Sequence, residues 1–142
     1  FYQSFDRDWN RGPDPVRFIV FQSRMAWVAA TLAEIEPSFR DTAAHGLKTL
    51  TDRWVDDDGA VNWMLDAHGP AGSHADERHT YGASFAIYAL AALARSLESD
   101  EALTLAQRAF EWLEEHVYDV EHFGYFECTD RAGKPVPVPL SR

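Results

Sequence analysis

The sequence has one cysteine, few basic residues and no long apolar run. The single Cys128 cannot form a disulfide within the chain, and it is typical of a protein from a reducing compartment. No stretch of about 18 uncharged apolar residues occurs, so the sequence contains no candidate transmembrane helix. No signal peptide is visible within the 142 residues. We therefore expect a cytoplasmic protein with no membrane partner.

Basic side chains are outnumbered by acidic ones. The chain has 13 Lys and Arg residues against 23 Asp and Glu residues, which gives a net charge of −10 at pH 7. Nucleic acids and anionic membranes bind positively charged surfaces, so this balance argues against both as partners. The chain also lacks a glycine-rich phosphate loop and a dinucleotide-binding motif. We expect no cofactor.

The apolar residues that are present predict helices. With 46% hydrophobic and 25% charged residues, the composition is that of an ordinary globular protein. Helical periodicity covers four stretches, at about residues 16–35, 38–54, 80–97 and 99–117. The first and third are apolar on nearly every face and are predicted to be buried, whereas the second and fourth have one apolar stripe each. Buried and half-exposed helices therefore alternate along the chain.

Three segments between the helices resemble one another. Residues 1–6, 61–66 and 125–130 each combine aromatic or apolar residues with a final aspartate, at Asp6, Asp66 and Asp130. The aspartates recur at nearly equal intervals along the chain. Each copy is predicted to be a short strand followed by a turn, in which the aspartate accepts hydrogen bonds from backbone N–H groups. A period of roughly 60 residues with two helices per unit indicates an array of helical hairpins.

The alternation of helices predicts an all-α protein with two layers and short β turns. An α/α toroid and an α-solenoid both satisfy this pattern. Each repeated turn precedes an inner helix, so all three turns are expected at helix N-terminal ends. Those ends carry partial positive charge and free N–H groups, which suit the stabilisation of a developing oxyanion.

Three motifs resemble the N-acylglucosamine 2-epimerase family, which includes cellobiose 2-epimerases and mannose isomerases. Residues 22–27 are similar to its Gln-Ser-Arg-x-x-Trp segment. Residues 81–90 are similar to its Tyr-Gly-x-Ala-Phe-x-x-Tyr-Ala-Leu helix, and residues 124–127 with Asp130 are similar to its Gly-Gly-Tyr-x-Glu turn. The order and spacing of the three motifs also fit the family across essentially the whole chain.

The resemblance implies an (α/α)6 toroid with a sugar pocket at one end. It implies proton removal beside a sugar carbonyl and reprotonation through an enediol-type intermediate, with a pair of histidines as acid and base. No positions for those histidines are found here. We expect residues 1–142 to be a single partial domain, the N-terminal third of the toroid with about four helices, which alone would be inactive. The expected partner is a mono- or disaccharide, and a homo-oligomer is left open.

Arg24 is the strongest candidate for a catalytic residue. It is the one charged residue between Arg17 and Glu34 on an apolar helix, which predicts a buried guanidinium with a partner or a ligand. By resemblance, it would contact the sugar carbonyl and stabilise the oxyanion. The alternative is a structural ion pair with Glu127 or Asp66.

Three further residues are candidates for substrate binding. Tyr81 begins the third helix, where its hydroxyl could bind a sugar hydroxyl or could belong to a core tyrosine. Trp63 could stack on a sugar face or simply pack in the repeated turn. Glu127 could bind a sugar hydroxyl, orient Arg24 or be a solvated carboxylate.

No metal site is expected from the spacing of the remaining ligand-type residues. The loop before Tyr81 contains His68, His74, Asp76 and His79, but no established metal-ligand spacing is present. His79 could serve as a general base in a rival mechanism. Cys128, with no base nearby in the sequence, is expected to be structural.

Two rival functions differ in class from the isomerase. One is a carbohydrate-binding or glycoside-cleaving toroid, since this fold type hosts several carbohydrate chemistries. Hydrolysis would require two carboxylates across a pocket, and the inner helices are mostly non-acidic. The other rival is a non-catalytic helical-repeat module that binds protein, in which Arg24 and Tyr81 would be dispensable.

Overall fold

The computed structural model of the chain describes residues 1–12, 16–71 and 75–137, and it is predominantly helical. The helices of this described part are α1 (Ile19–Ala33), α2 (Arg40–Thr49), α3 (Thr80–Leu97) and α4 (Asp100–His116). Its short strands are β1 (Arg17–Phe18), β2 (Met64–Leu65), β3 (Glu77–His79), β4 (Tyr118–Asp119), β5 (Gly124–Tyr125) and β6 (Cys128–Asp130). The all-α prediction with short β turns is therefore confirmed.

The second pair of helices begins and ends where local signals predict. α3 has the predicted bounds, and α4 begins after the predicted cap, since the Ser99 hydroxyl accepts a hydrogen bond from the Ala102 N–H at 3.2 Å. Glu98 takes a left-handed conformation with φ of 56°, which ends α3. The chain thereby reverses direction between Leu97 and Asp100 and forms a helical hairpin.

The first helix begins later than predicted. α1 starts at Ile19 rather than near residue 16, because Arg17 and Phe18 pair with Leu65 and Met64 as the two-stranded sheet β1–β2. Tertiary strand pairing thus overrides the apolar pattern at this end of the helix.

The second predicted helix is divided into three parts. A 3₁₀ turn (Pro37–Phe39) leads into α2, and a π-helical turn (Leu50–Trp54) follows it. Proline is tolerated in the first turn of a helix, where its missing N–H has no intrahelical partner in any case. The periodic pattern identifies the segment but not its change of helix type.

The helices pack as two layers, as the alternation predicted. α1 and α3 pack against each other, α2 packs on α1 and α4 packs on α3. The largest side chains of the shared core include Ile19, Leu50, Leu90 and Leu93, each fully buried. The predicted burial of α1 and α3 on every face is wrong, however. Val28 on α1 and Tyr88 on α3 are 37% and 54% exposed, because the described residues cover only one side of this inner pair.

Short antiparallel strand pairs join the turns at one end of the helices. β3 pairs with β6, with His79 opposite Cys128 and Glu77 opposite Asp130, and β4 pairs with β5. The predicted strand at residues 1–6 is reduced to one isolated bridge between Phe5 and Arg11. The turn that precedes α3 is therefore held against the turn that follows α4.

The aspartate turns form as predicted. In all three copies one carboxylate oxygen of Asp6, Asp66 or Asp130 accepts hydrogen bonds from two backbone N–H groups a few positions further along the chain. These bonds are 2.7 to 3.1 Å long. Their recurrence is explained by turn geometry. Among the described residues, no helix has the length and apolarity needed to span a membrane.

Candidate functional site

A pocket of about 550 Å³ lies beside the first turns of α1 and α3. Arg24, Trp63 and Tyr81, three of the four candidate residues, line it together. The rest of its lining is apolar and comes from Phe18, Val20, Phe21, Met25 and Val28. An apolar pocket with a few convergent polar groups is the usual form of a small-molecule site.

Arg24 is exposed, which corrects the prediction of a buried guanidinium. It lies on the side of α1 that the other described residues leave uncovered. Within the described part of the chain it forms no ion pair or hydrogen bond, so the structural pairing with Glu127 or Asp66 is absent. A guanidinium with five donors and no protein partner is available to an anionic or carbonyl oxygen.

Tyr81 lies in the first turn of α3 and is 59% exposed. Its ring packs edge-on against Phe85 one turn later, with centroids 5.0 Å apart. The core-tyrosine alternative does not fit this exposure. The ring is supported on one side and available to the pocket on the other.

Trp63 is held in place from three directions. Its ring stacks on the His79 imidazole with centroids 4.3 Å apart and planes at 22°, and it meets Phe18 edge-on at 6.0 Å. Gly82 of α3 lies so close that a Cβ there would be 2.9 Å from Trp63 Cε3. The Trp63 carbonyl also accepts a hydrogen bond from the Ile19 N–H at 3.2 Å. Both the ring and the backbone of Trp63 are therefore fixed at the junction of the two inner helices.

Glu127 lies beside the start of α3 but does not line the pocket. Its side chain is exposed, and its carbonyl accepts a hydrogen bond from the Thr80 N–H at 3.0 Å. The neighbouring Phe126 carbonyl accepts the Thr80 hydroxyl at 2.5 Å. The structure thus separates Glu127 from the group formed by the other three candidates.

At the helix N-termini beside the pocket, two backbone N–H groups already donate hydrogen bonds to carbonyls of the turns. The first N–H of α1, from Ile19, binds the carbonyl of Trp63, and the first N–H of α3, from Thr80, binds the carbonyl of Glu127. The expectation of free N–H groups is therefore corrected for these two donors. The repeated turns cap the inner helices and thereby fix where the pocket residues lie.

A second cluster of polar side chains, formed by Glu77, His79 and Cys128, lies on the side of Trp63 that stacks on His79. Glu77 Oε2 is 2.7 Å from His79 Nε2 and 3.5 Å from Cys128 Sγ, and the sulfur is 3.6 Å from His79 Nε2. Burial, together with the negative charge of Glu77, raises the pKa of the Cys128 thiol to about 12. Cys128 is therefore held as a thiol in this arrangement.

Sequence reasoning did not find this cluster, because Cys128 is far along the chain from Glu77 and His79. The one local signal is the i, i+2 spacing of Glu77 and His79, in a segment that is predicted to be a loop and that the structure shows as β3. Of the other loop residues, Asp76 is exposed and forms an ion pair with Arg131 at 3.5 Å. The backbone N–H of His68 donates a hydrogen bond to the Asp66 carboxylate. His74 lies outside the described residues.

Comparison with known proteins identifies one protein family that matches nearly the whole chain. The family model described as N-acylglucosamine 2-epimerase (GlcNAc 2-epimerase) matches residues 1–137. A cellobiose 2-epimerase of Ruminococcus albus is 34% identical over 136 residues, which cover 92% of this chain and 33% of the relative. The chain thus spans about a third of the length of the curated relatives it matches.

Solved structures agree with the sequence comparison. A sugar epimerase from a ruminal bacterium superposes with a TM-score of 0.83 at 29% identity, covering 96% of this chain and 35% of that one. A D-mannose isomerase gives the same TM-score at 23% identity, covering 96% of this chain and 34% of that one. At this identity the similarity shows a shared fold only. The described helices and turns are thus arranged as in one third of these larger proteins.

Proposed function

Because the chain belongs to the N-acylglucosamine 2-epimerase family, we propose that the protein containing it is a sugar 2-epimerase or an aldose–ketose isomerase. The observation that carries this proposal is that Arg24, Trp63 and Tyr81 line one pocket, with no protein partner for the Arg24 guanidinium among the described residues. The substrate would be a mono- or disaccharide such as mannose, N-acetylglucosamine or cellobiose. The proposed reaction needs no cofactor.

The proposed reaction moves a proton at carbon 2 of the open-chain sugar. A base removes the proton from carbon 2, and the electron pair of that C–H bond moves toward the carbonyl oxygen to give an enediol-type intermediate. Return of a proton to the other face of carbon 2 gives the epimer, whereas its return to carbon 1 gives the ketose. The step that most needs protein assistance is the stabilisation of the oxyanion.

Arg24 is proposed to supply that stabilisation. A guanidinium donates two hydrogen bonds in a fixed geometry and stays charged at every physiological pH. Its place on the rigid second turn of α1, rather than on a loop, favours a constant position relative to the sugar. The charge interacts more strongly with the developing oxyanion than with the neutral carbonyl, which is the requirement for catalysis.

The other candidates are proposed to bind and orient the sugar. The half-buried face of Trp63 suits the apolar face of a pyranose or an open-chain sugar, and the Tyr81 hydroxyl suits a sugar hydroxyl. Glu127 is proposed to act from the rim, because its exposed carboxylate is not part of the pocket lining. None of these groups is proposed to transfer the proton.

The histidine acid and base are proposed to lie in parts of the protein other than residues 1–142. The chain is proposed to form an arc of an (α/α)6 toroid, as its N-terminal third, with the uncovered side of α1 and α3 facing the rest of the ring. On this view the purified 142-residue chain has no turnover of its own. Turnover of mannose, N-acetylglucosamine or cellobiose by that chain would contradict the assignment.

The test is the Arg24→Ala variant of the full-length protein. Deuterium incorporation at carbon 2 from D₂O, followed by NMR, measures the proposed step directly. We expect kcat to fall by about a hundredfold or more, as for the loss of one oxyanion-stabilising donor. The melting temperature should change little, because the side chain is exposed and unpaired among the described residues.

Arg95→Ala is the matched control. Arg95 is also an exposed arginine, but it pairs with Glu34 at 2.7 Å at the far end of α3 from the pocket. Its removal should leave exchange at carbon 2 unchanged. Normal exchange in Arg24→Ala would contradict the proposed role of Arg24. A large fall in the melting temperature of that variant would instead support a structural role.

A further inference from the structure

Three different donor atoms meet where β3 leads into α3. Alternate residues of a strand point to the same face, so Glu77 and His79 share one face of β3. The antiparallel register places Cys128 of β6 directly opposite His79. A carboxylate oxygen, an imidazole nitrogen and a sulfur are therefore brought together by strand geometry, within 4.8 Å of one another.

Their spacing is close to that of a tetrahedral zinc site. Zinc binds these ligand types at about 2.0–2.3 Å, which separates neighbouring ligand atoms by about 3.3–3.7 Å in a tetrahedron. The separations of Cys128 Sγ from Glu77 Oε2 and from His79 Nε2 are 3.5 and 3.6 Å, within that range. The Glu77–His79 separation of 2.7 Å is that of a hydrogen bond, and it must widen by about half an ångström when a metal replaces the proton.

The cluster has one buried ligand and two ligands that are partly exposed to solvent. Cys128 is 2% exposed, whereas the His79 and Glu77 side chains retain 17% and 22% exposure. An ion could therefore reach His79 and Glu77 from solvent and then bind the buried sulfur of Cys128. The Trp63 ring covers the face of the imidazole and holds its plane.

We propose that Glu77, His79 and Cys128 form a binding site for zinc or a similar borderline divalent cation. On binding, the Cys128 S–H bond breaks, a sulfur–metal bond forms and the proton passes to solvent. The proton between His79 Nε2 and Glu77 moves through solvent to Nδ1, so that the neutral imidazole binds the ion through Nε2. The thiolate and the carboxylate then neutralise the two positive charges of the ion. A water molecule or a further side chain would complete the four ligands that zinc prefers.

The three proposed ligands come from two paired strands, because Glu77 and His79 belong to β3 and Cys128 belongs to β6. The ion would join β3 to β6 and fix His79 behind Trp63, so its role is separate from the proposed proton transfer.

The test uses Co²⁺ as a spectroscopic probe in the reduced, metal-free, full-length protein. Tetrahedral Co²⁺ with a thiolate ligand shows a sulfur-to-cobalt charge-transfer band and intense visible bands. We expect one equivalent of Co²⁺ to give both, Zn²⁺ to displace it, and Cys128→Ser to abolish the charge-transfer band. Glu77→Gln, which preserves the size of the side chain, should weaken Co²⁺ binding at least tenfold.

His122→Gln is the matched control. His122 also pairs with a carboxylate, that of Asp119 at 2.9 Å, but this pair lies on the surface and is not joined by a cysteine in the described part of the chain. Its Co²⁺ spectrum should equal that of the unsubstituted protein. Absence of the charge-transfer band in folded protein at millimolar Co²⁺, or its survival in Cys128→Ser, would overturn the proposal. Neither readout depends on epimerase or isomerase activity.

Discussion

The indole ring of Trp63 stacks on the imidazole of His79, with ring centroids 4.3 Å apart and planes inclined by 22°. The contact joins the two inner helices, since the Trp63 carbonyl binds the first N–H of α1 and His79 directly precedes α3. One side of the stack faces the pocket lined by Arg24 and Tyr81, and the other side faces Cys128. The position of the proposed sugar-binding surface therefore depends on β3.

The first prediction concerns binding by Trp63. If its ring stacks on the sugar, Trp63→Ala in the full-length protein should raise KM by about three- to tenfold, the equivalent of roughly 0.5–1.5 kcal/mol of aromatic contact. Because the contact exists in both the ground state and the transition state, kcat should change little. Steady-state kinetics with the preferred sugar measures both constants.

Trp9→Ala provides the comparison for Trp63. Trp9 is 82% exposed and lies outside the pocket lining, so its removal should leave KM unchanged. Trp63→Phe, which keeps an aromatic face, should fall between the unsubstituted protein and Trp63→Ala. An unchanged KM in Trp63→Ala would reject the stacking role.

The second prediction concerns the close approach at Gly82. A Cβ there would lie 2.7 Å from Ile19 Cγ2 and 2.9 Å from Trp63 Cε3, so Gly82→Ala must displace one of these side chains. Alanine gains about 1 kcal/mol of helix propensity, while overpacking costs about 1–3 kcal/mol. We expect a net loss of about 1 kcal/mol in the free energy of unfolding, measured by urea titration, and a higher KM.

Gly124→Ala is the corresponding control for added volume. A Cβ at Gly124 would meet no atom within 4 Å, and its φ is not in the left-handed region. Its urea midpoint should therefore stay close to that of the unsubstituted protein. Equal effects of the two substitutions would show that the contact between Gly82 and Trp63 does not limit packing.

Features with local causes could be predicted from the sequence. The bounds of α3, the Ser99 cap and the three aspartate turns each follow from residues within a few positions of one another. The grouping of Arg24, Trp63 and Tyr81 follows from the repeat instead, because the repeated turns place the first turns of both inner helices at one end of the layer. Periodicity and turn chemistry carry this information without any knowledge of distant contacts.

Features with distant causes could not be predicted in this way. The late start of α1 depends on pairing with β2, and the cluster behind Trp63 depends on the register of β3 with β6, which are separated in the chain by α3 and α4. The exposure of Arg24 has a similar origin. An apolar pattern indicates how many faces of a helix are suited to burial, but not which neighbours within the chain cover them.

The third prediction concerns the buried guanidinium of Arg78. Arg78 is 4% exposed and binds Asp56 at 2.9 Å, and burial lowers its pKa while Asp56 opposes that shift. Asp56→Asn would remove the carboxylate that binds the buried cation directly and would leave the weaker influence of Asp58. We expect a loss of about 2–3 kcal/mol in the free energy of unfolding, less than for a fully buried pair because Asp56 is 43% exposed.

Asp52→Asn tests whether that loss depends on burial. Asp52 pairs with Lys48 at 2.6 Å on an exposed helical surface, where solvent screens the pair and it contributes little to stability. In urea titrations, Asp56→Asn should therefore lose clearly more free energy of unfolding than Asp52→Asn. A similarly small loss of free energy of unfolding in both variants would show that other groups stabilise the Arg78 charge when Asp56 is neutral.

The fourth prediction concerns the pH dependence of Cys128 alkylation in the metal-free protein. Burial, followed by the charge of Glu77, raises the pKa of the thiol to about 12, so the native protein should hold almost no thiolate at pH 9. The rate of iodoacetamide labelling should rise about tenfold per pH unit from pH 9 to pH 11 in the native state. In denaturant the rate should instead level off above the ordinary thiol pKa of about 8.5.

Glu77→Gln determines how much of that shift is electrostatic. Removing the negative charge favours the thiolate, so the labelling curve of folded Glu77→Gln should move to lower pH, while the curve in denaturant should not move. Labelling of residue 128 is measured by mass spectrometry of its peptide, with circular dichroism as the check on folding. A native labelling rate that levels off near pH 9 would contradict the raised pKa. An unchanged native curve in Glu77→Gln would leave burial as the dominant cause, because the carboxylate would then contribute nothing measurable to the charge balance around the sulfur.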